Sequence, residues 1–141
     1  MQGPYRILVV DDDPKVLFML RESLEKLGNG YGIATAADGQ QALVKAQNQP
    51  FDLIISDVKM PGIDGIQLVE MIRSLNIETM LIWITALGCE SLKAECERLS
   101  VSSCLQKPLR ISEIRDAVQA ALSSKDENRQ GHGNERRSEN D

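Results

Sequence analysis

Apolar positions along the chain fall into short unbroken runs, separated by stretches in which they recur every third or fourth residue. The first run, Ile7-Leu8-Val9-Val10, leads straight into Asp11-Asp12-Asp13 and Pro14. A run without alternation suits a parallel strand covered on both faces, here with acids at its carboxyl end. Asp13-Pro14 supplies an N-cap acid and a proline at the first helical position, so the spacing predicts a helix at once. Leu17, Leu20, Leu24 and Leu27 form its apolar face, and Gly28 closes it.

Four further strand and helix steps follow. Tyr31 to Ala37 is a weaker strand ended by Asp38-Gly39, and Ala42, Leu43 and Ala46 mark a short helix from Gln40 to Gln47, broken at Pro50. The stretch Phe51 to Asp57 repeats the first design, an apolar run ending in an acid. Asp64-Gly65 caps a helix carrying Ile66, Leu68, Val69, Ile72 and Leu75. Met80 to Thr85 is a fourth run, Ser91 to Leu99 a modest helix, and Val101 to Gln106 holds a short fifth strand before Lys107-Pro108. Ile111, Ile114, Val118, Ala121 and Leu122 mark the last helix. This alternation implies right-handed crossovers and a parallel sheet with helices on both faces, an α/β fold. From Ser124 to Asp141 no large apolar residue occurs. One domain is therefore expected over residues 1–123, followed by a disordered polar tail or linker over residues 124–141.

With 141 residues, 42% hydrophobic and 26% charged, the chain has room for one soluble core. A net charge of -5 without clustered Lys and Arg argues against direct nucleic-acid binding. No apolar run suits a signal peptide or a membrane span, so no membrane partner is expected and the location is read as cytoplasmic. Cys89, Cys96 and Cys104 are odd in number and lack a C-x-x-C pair. They predict neither a disulfide framework nor a zinc site, but buried, reduced thiols.

In a parallel sheet the carboxyl ends of the strands line one crevice. Asp11 and Asp12 end the first strand, Asp57 the third, Thr85 the fourth and Lys107 the fifth, so all five converge there. Singly, each reads as a turn or cap residue. Together, three carboxylates suit a hard divalent cation with oxygen ligands, for which Mg²⁺ is the abundant candidate. A lysine and a hydroxyl then serve as donors to the oxygens of a phosphoryl group. Asp57 stands alone with a glycine-containing loop behind it and is best placed as the acceptor, while the adjacent Asp11 and Asp12 suit metal holding.

Asp11-Asp12 after an apolar strand, Asp57-x-x-Met60-Pro61-Gly62-x-Asp64-Gly65, Thr85-Ala86 and Lys107-Pro108 stand in order over roughly Arg6 to Ser123. In this the chain resembles the response regulator receiver domain of two-component signalling. The resemblance implies a flavodoxin-like, doubly wound (βα)5 fold with strand order 2-1-3-4-5, the order of the family's chemotaxis regulator. It implies that Asp57 is the phosphoacceptor, supplied by a phosphohistidine on a sensor histidine kinase or a histidine phosphotransfer protein. Mg²⁺ would be held by the Asp12 and Asp57 side chains, by Asp11 through water and by the Lys59 backbone carbonyl. Thr85 would bond a phosphoryl oxygen and move toward it, Lys107 would pair with another, and a cis peptide would precede Pro108.

The same resemblance implies a regulatory switch that catalyses only its own phosphorylation and dephosphorylation. Its output would be a changed surface on the fourth helix, fifth strand and fifth helix, read by a downstream effector or output domain, or by a second copy in a phosphorylation-linked homodimer. Cys104 stands where the family often carries Tyr or Phe, three residues before the lysine. Lys59 and Leu87, at positions that tune phosphate loss in the family, offer no group to orient a water, which predicts slow loss. Trp83, two residues before Thr85, shares its side of the strand. His132, in the polar tail, is read as solvated. An aspartyl phosphohydrolase is the competing reading, disfavoured because Val58-Lys59 supplies no second acid beside Asp57. A mere scaffold would lack Asp57, Thr85 or Lys107, and all are present.

Overall fold

The computed structural model describes residues 4–28 and 30–139, with side chains described as far as residue 126. Its strands are β1 (Tyr5–Val10), β2 (Tyr31–Ala36), β3 (Leu53–Asp57), β4 (Met80–Thr85) and β5 (Ser103–Gln106). Between and after them lie α1 (Pro14–Glu25), α2 (Gly39–Asn48), α3 (Gly65–Ser74), α4 (Lys93–Leu99) and α5 (Ile111–Glu139), with a 3₁₀ turn at Cys89–Leu92 leading into α4. All strand pairs are parallel and the order is β2-β1-β3-β4-β5, the doubly wound flavodoxin-like arrangement.

The pleat sorts successive residues of the apolar runs to opposite faces, and both faces are buried. Leu8, Val10, Ile54, Leu81 and Trp83 pack with Ala42, Ala46, Leu68, Val69 and Ile72 of α2 and α3 and with Leu99 of α4. On the other face, Ile7, Val9, Leu53, Ile55, Ile82 and Ile84 meet Leu20 and Leu24 of α1 and Ile114, Val118, Ala121 and Leu122 of α5. This two-sided burial is why the runs lack alternation.

Helix starts follow the acids. Asp13 accepts from the Lys15 amide at 2.9 Å and Asp38 from the Gln41 amide at 2.8 Å. Asp64 and Gln67 form a reciprocal capping box at the head of α3. Of the residues expected on helix faces, Leu75 and Ile111 are exposed instead. The modest helix divides into the 3₁₀ turn and α4, whose end is closed by Ser100 in a left-handed conformation.

The segment after Ser123 and the cysteines bear on two expectations. Helical backbone continues past Ser123 to Glu139. Low hydrophobicity limits what the segment buries, not its ability to coil, since Lys, Glu, Gln and Arg are all favourable in helices. Packing stops earlier: Leu122 is the last core residue among those described, and just beyond it Asp126 accepts from the Tyr5 hydroxyl while Lys125 lies 3.9 Å from Asp52. The side chain of His132 lies outside the described residues. One expectation needs correction, that of reduced thiols. Cys89 and Cys104 form a disulfide, their Cα atoms 5.9 Å apart, and both are only partly buried, as is the free Cys96. Spacing gave no sign of the pair because a crossover of 15 residues separates the two in sequence, while the neighbouring strands β4 and β5 bring them together.

Arg73, near the end of α3, donates to three backbone carbonyls, those of Leu99, Thr79 and Ser100, each at 3.0 Å. It thereby fastens α3 to the start of β4 and the end of α4. Removing a charged donor from part-buried acceptors costs about 2 to 3 kcal/mol. Arg73→Ala is expected to lower the urea midpoint accordingly, while Arg73→Lys, with one donor centre in place of a planar fork, recovers only part of the loss.

Candidate functional site

Register brings the acids together. Val10 pairs with Ser56 across β1 and β3, so the residues that follow, Asp11 and Asp57, leave adjacent strands side by side. Asp12 follows Asp11 into solvent, whereas Asp11 and Asp57 are buried. Each of the three carboxylates offers an oxygen, and these oxygens lie within 4.8 Å of one another. Such a set, mixing buried and exposed acids, fits one hard divalent cation whose remaining positions face water.

Lys107 arrives from β5, its Nζ 3.1 Å from Asp11 Oδ2 and 3.4 Å from Asp57 Oδ2. The Lys107–Pro108 peptide is cis. Asp11 also accepts from the Asp13 amide at 2.9 Å, so its two oxygens are fixed by the start of α1 and by Lys107. Lys59, exposed two residues past Asp57, is tied to the cluster through its amide, which hydrogen-bonds the Asp57 carboxylate.

Burial raises the Asp57 carboxyl above its ordinary pKa, and the Asp11 charge pushes the same way, while Lys107 and the Lys59 amide oppose both. For Lys107, burial works to lower the pKa, but the hydrogen bonds and charges of Asp11 and Asp57 outweigh it and the net shift is upward. The pocket thus holds more negative charge than one ammonium offsets. A bound cation would relieve it.

Thr85 is fully buried at the end of β4, and its Oγ1 accepts from the Leu87 amide at 2.9 Å. Its carbonyl accepts from the Lys107 amide at 2.7 Å, which fixes the lysine's starting point. Asp11, Asp12, Asp57, Thr85 and Lys107 therefore all lie along the carboxyl edge, with Thr85 turned toward its own loop.

Gly65, a cap residue and the last position of the motif that starts at Asp57, carries a further role. A Cβ there would lie 2.4 Å from the Asp57 carbonyl oxygen and 2.8 Å from Val58 Cα, so the head of α3 rests directly on the backbone bearing Asp57. Gly65 donates its amide to the Val58 carbonyl at 2.8 Å and accepts from the buried Trp83 indole at 3.2 Å. Only a contact across the loop distinguishes this glycine from an ordinary cap residue.

Comparison with known proteins places the chain in a family. The family profile described as response regulator receiver domain matches residues 7–119. The alkaline phosphatase synthesis transcriptional regulatory protein PhoP of Bacillus subtilis is 34% identical over 117 residues, which cover 83% of this chain and 48% of that protein. Sporulation initiation phosphotransferase F of the same organism is 35% identical over 120 residues, covering 85% of this chain and 95% of that one. The chain thus spans about half the length of the first relative and nearly all of the second. In the solved CheX-CheY-BeF3-Mg²⁺ complex from Borrelia burgdorferi, the matching chain is 29% identical with a TM-score of 0.78, covering 85% of this chain and 90% of that chain. A profile match across most of the folded part, joined to the strand order and the acidic edge, shows that the chain belongs to the response regulator receiver family of two-component signalling.

Proposed function

We propose that Asp57 accepts a phosphoryl group from a phosphohistidine of a sensor histidine kinase or histidine phosphotransfer protein, in a Mg²⁺-dependent reaction. The observation that carries this is the Asp57 carboxylate itself: buried, beside Asp11 and Asp12, and within reach of Lys107. A carboxylate oxygen attacks phosphorus, the bond to the histidine nitrogen breaks, and the imidazole leaves with the electron pair. Asp11, Asp12 and Asp57, with the Lys59 carbonyl, are the groups that would hold Mg²⁺, which offsets the charge of donor and acceptor as they meet. Lys107 is placed to pair with a phosphoryl oxygen. Thr85 serves once its hydroxyl leaves the Leu87 amide. In support, the Borrelia relative was solved with BeF3 and Mg²⁺, and one of the two Bacillus relatives is named a phosphotransferase.

The unit that switches is residues 1–123, with 124–141 as a polar extension. Its output surface is that of α4, β5 and α5, offered to an effector, an output domain or a second copy. Lys59 and Leu87, both exposed, bring no acid or carboxamide to a water near Asp57, and the phosphorylated state is long-lived for that reason.

Incubation with acetyl phosphate tests the reading: intact-mass analysis is expected to show one added phosphoryl group with Mg²⁺ and none with excess chelator. No Mg²⁺-dependent adduct would overturn it. Asp12→Ala is expected to weaken Mg²⁺ binding by more than the ~10-fold that losing an outer-shell partner costs. Mg²⁺ also competes with the proton that Asp57 holds too readily. The metal-induced rise in Tm should therefore be full at neutral pH and fade as pH falls through the raised pKa of Asp57. Lys107→Ala is expected to take up phosphate yet leave Trp83 emission unchanged on phosphorylation; a full wild-type emission change would remove Lys107 from the response.

A further inference from the structure

The Cys89 and Cys104 pair lies outside the acidic pocket and takes no part in the chemistry above. Cys89 opens the 3₁₀ turn four residues after Thr85, and Cys104 sits on β5 directly opposite Trp83 of β4. Between Thr85 and Cys89 the loop Ala86-Leu87-Gly88 is exposed throughout. Its side-chain ties are the Leu87 amide to Thr85 Oγ1 at 2.9 Å and the Ser91 hydroxyl to the Gly88 carbonyl at 3.0 Å. With the sulfurs joined, this loop is fixed at one end by β4 and at the other by β5. With free thiols, the far end loses its covalent tie to β5 and is held by the packing of Leu92.

We propose that Cys89 and Cys104 form a thiol–disulfide switch that locks the loop after β4 and so controls how far Thr85 answers phosphorylation. The proposal rests on the reading of Asp57 as phosphoacceptor, because that reading requires the Thr85 hydroxyl to leave the Leu87 amide. A loop held at both ends resists that movement.

The oxidant is a low-molecular-weight disulfide of the glutathione class. One cysteine thiolate attacks a sulfur of the donor, forming a mixed disulfide and releasing one thiolate; the second cysteine then displaces the other. The Sγ–Sγ bond forms, the donor bond breaks, two cysteines are oxidised by two electrons, and the released thiolates take up the two protons. Both cysteines are partly exposed, so the donor reaches them. Cys96, on α4, is not part of the pair, and burial together with Glu97 raises its thiol pKa, leaving it a smaller thiolate fraction. Coupling is reciprocal: if the disulfide weakens the phosphorylated conformation, that conformation makes the disulfide easier to reduce by the same factor.

The full chain, equilibrated in reduced and oxidised glutathione and then alkylated, provides the test. Peptide mapping is expected to show Cys89 linked to Cys104 and Cys96 alkylated. Titration with beryllofluoride and Mg²⁺, followed by Trp83 emission, should require on the order of tenfold more beryllofluoride for the oxidised protein than for the reduced one. Cys89→Ser and Cys104→Ser should each respond like the reduced wild type in both buffers. Absence of the Cys89–Cys104 link, or equal titrations of the two wild-type forms, would overturn the switch. Failure of reduced wild type to take phosphate from acetyl phosphate would overturn the phosphoacceptor reading and the coupling with it. Peptide mapping would still register the disulfide, so the two failures are distinct.

Discussion

Asp57→Asn is expected to abolish phosphorylation outright, with no adduct from acetyl phosphate or from a phosphohistidine donor at any Mg²⁺ concentration. The amide is nearly isosteric but presents no anionic oxygen to attack phosphorus. A second effect has the opposite sign. The folded-state pKa of Asp57 is raised by burial and by Asp11. Folding therefore favours its protonated form, and the stability that form contributes below the ordinary carboxylate pKa is lost as pH rises through the folded value. At neutral pH without metal, the folded protein bears that cost in full. Asn removes it, and Lys107 keeps its 3.1 Å contact with Asp11. The variant should melt a few degrees higher in chelator, the size of shift that about 1 kcal/mol produces, and gain less than wild type from Mg²⁺. Differential scanning calorimetry with and without Mg²⁺ reads both. An equal or lower Tm in chelator would mean that repulsion in the pocket is already relieved.

Gly65→Ala carries the second large effect. The new methyl would meet the Asp57 carbonyl oxygen at 2.4 Å and Val58 Cα at 2.8 Å, and both are backbone atoms that no rotamer change clears. Either α3 lifts, breaking the Gly65 amide bond to Val58 and the Trp83 bond to the Gly65 carbonyl, or Asp57 shifts. Overpacking of this kind costs roughly 1 to 3 kcal/mol. Misplacing a reacting group by about 1 Å lowers rates on the order of 100-fold. We expect both a lower urea midpoint and phosphorylation by acetyl phosphate slowed by about that factor, measured by intact mass over time. A wild-type rate with only the stability loss would show that α3 yields while Asp57 stays in place.

Much of this arrangement was legible in the chain because burial on two faces leaves a mark that needs no partner to be known. The runs at Ile7 to Val10 and Met80 to Thr85 named their strands, and acids or a hydroxyl at their ends named the crevice. What escaped was whatever depends on contact between segments far apart in sequence. Cys89 and Cys104 meet only because β5 lies beside β4, and Gly65 matters only because Asp57 passes beneath it. Thr85 was readable as an edge residue, but its bond to the Leu87 amide was not. The helical backbone after Ser123 was not legible either, because apolar content measures what a segment buries and a solvated helix needs to bury little.

α5 begins just after the Lys107–Pro108 turn and runs back beneath the sheet until Asp126 reaches Tyr5, the first residue of β1. Residues 127–139 continue the helix, which at 1.5 Å per residue adds roughly 20 Å of backbone beyond Asp126. Anything carried or contacted by that rod stands at the pole opposite the acids. News of a charge change at Asp57 reaches it only through the body of the domain, along Ile114, Val118 and Leu122, rather than by touch.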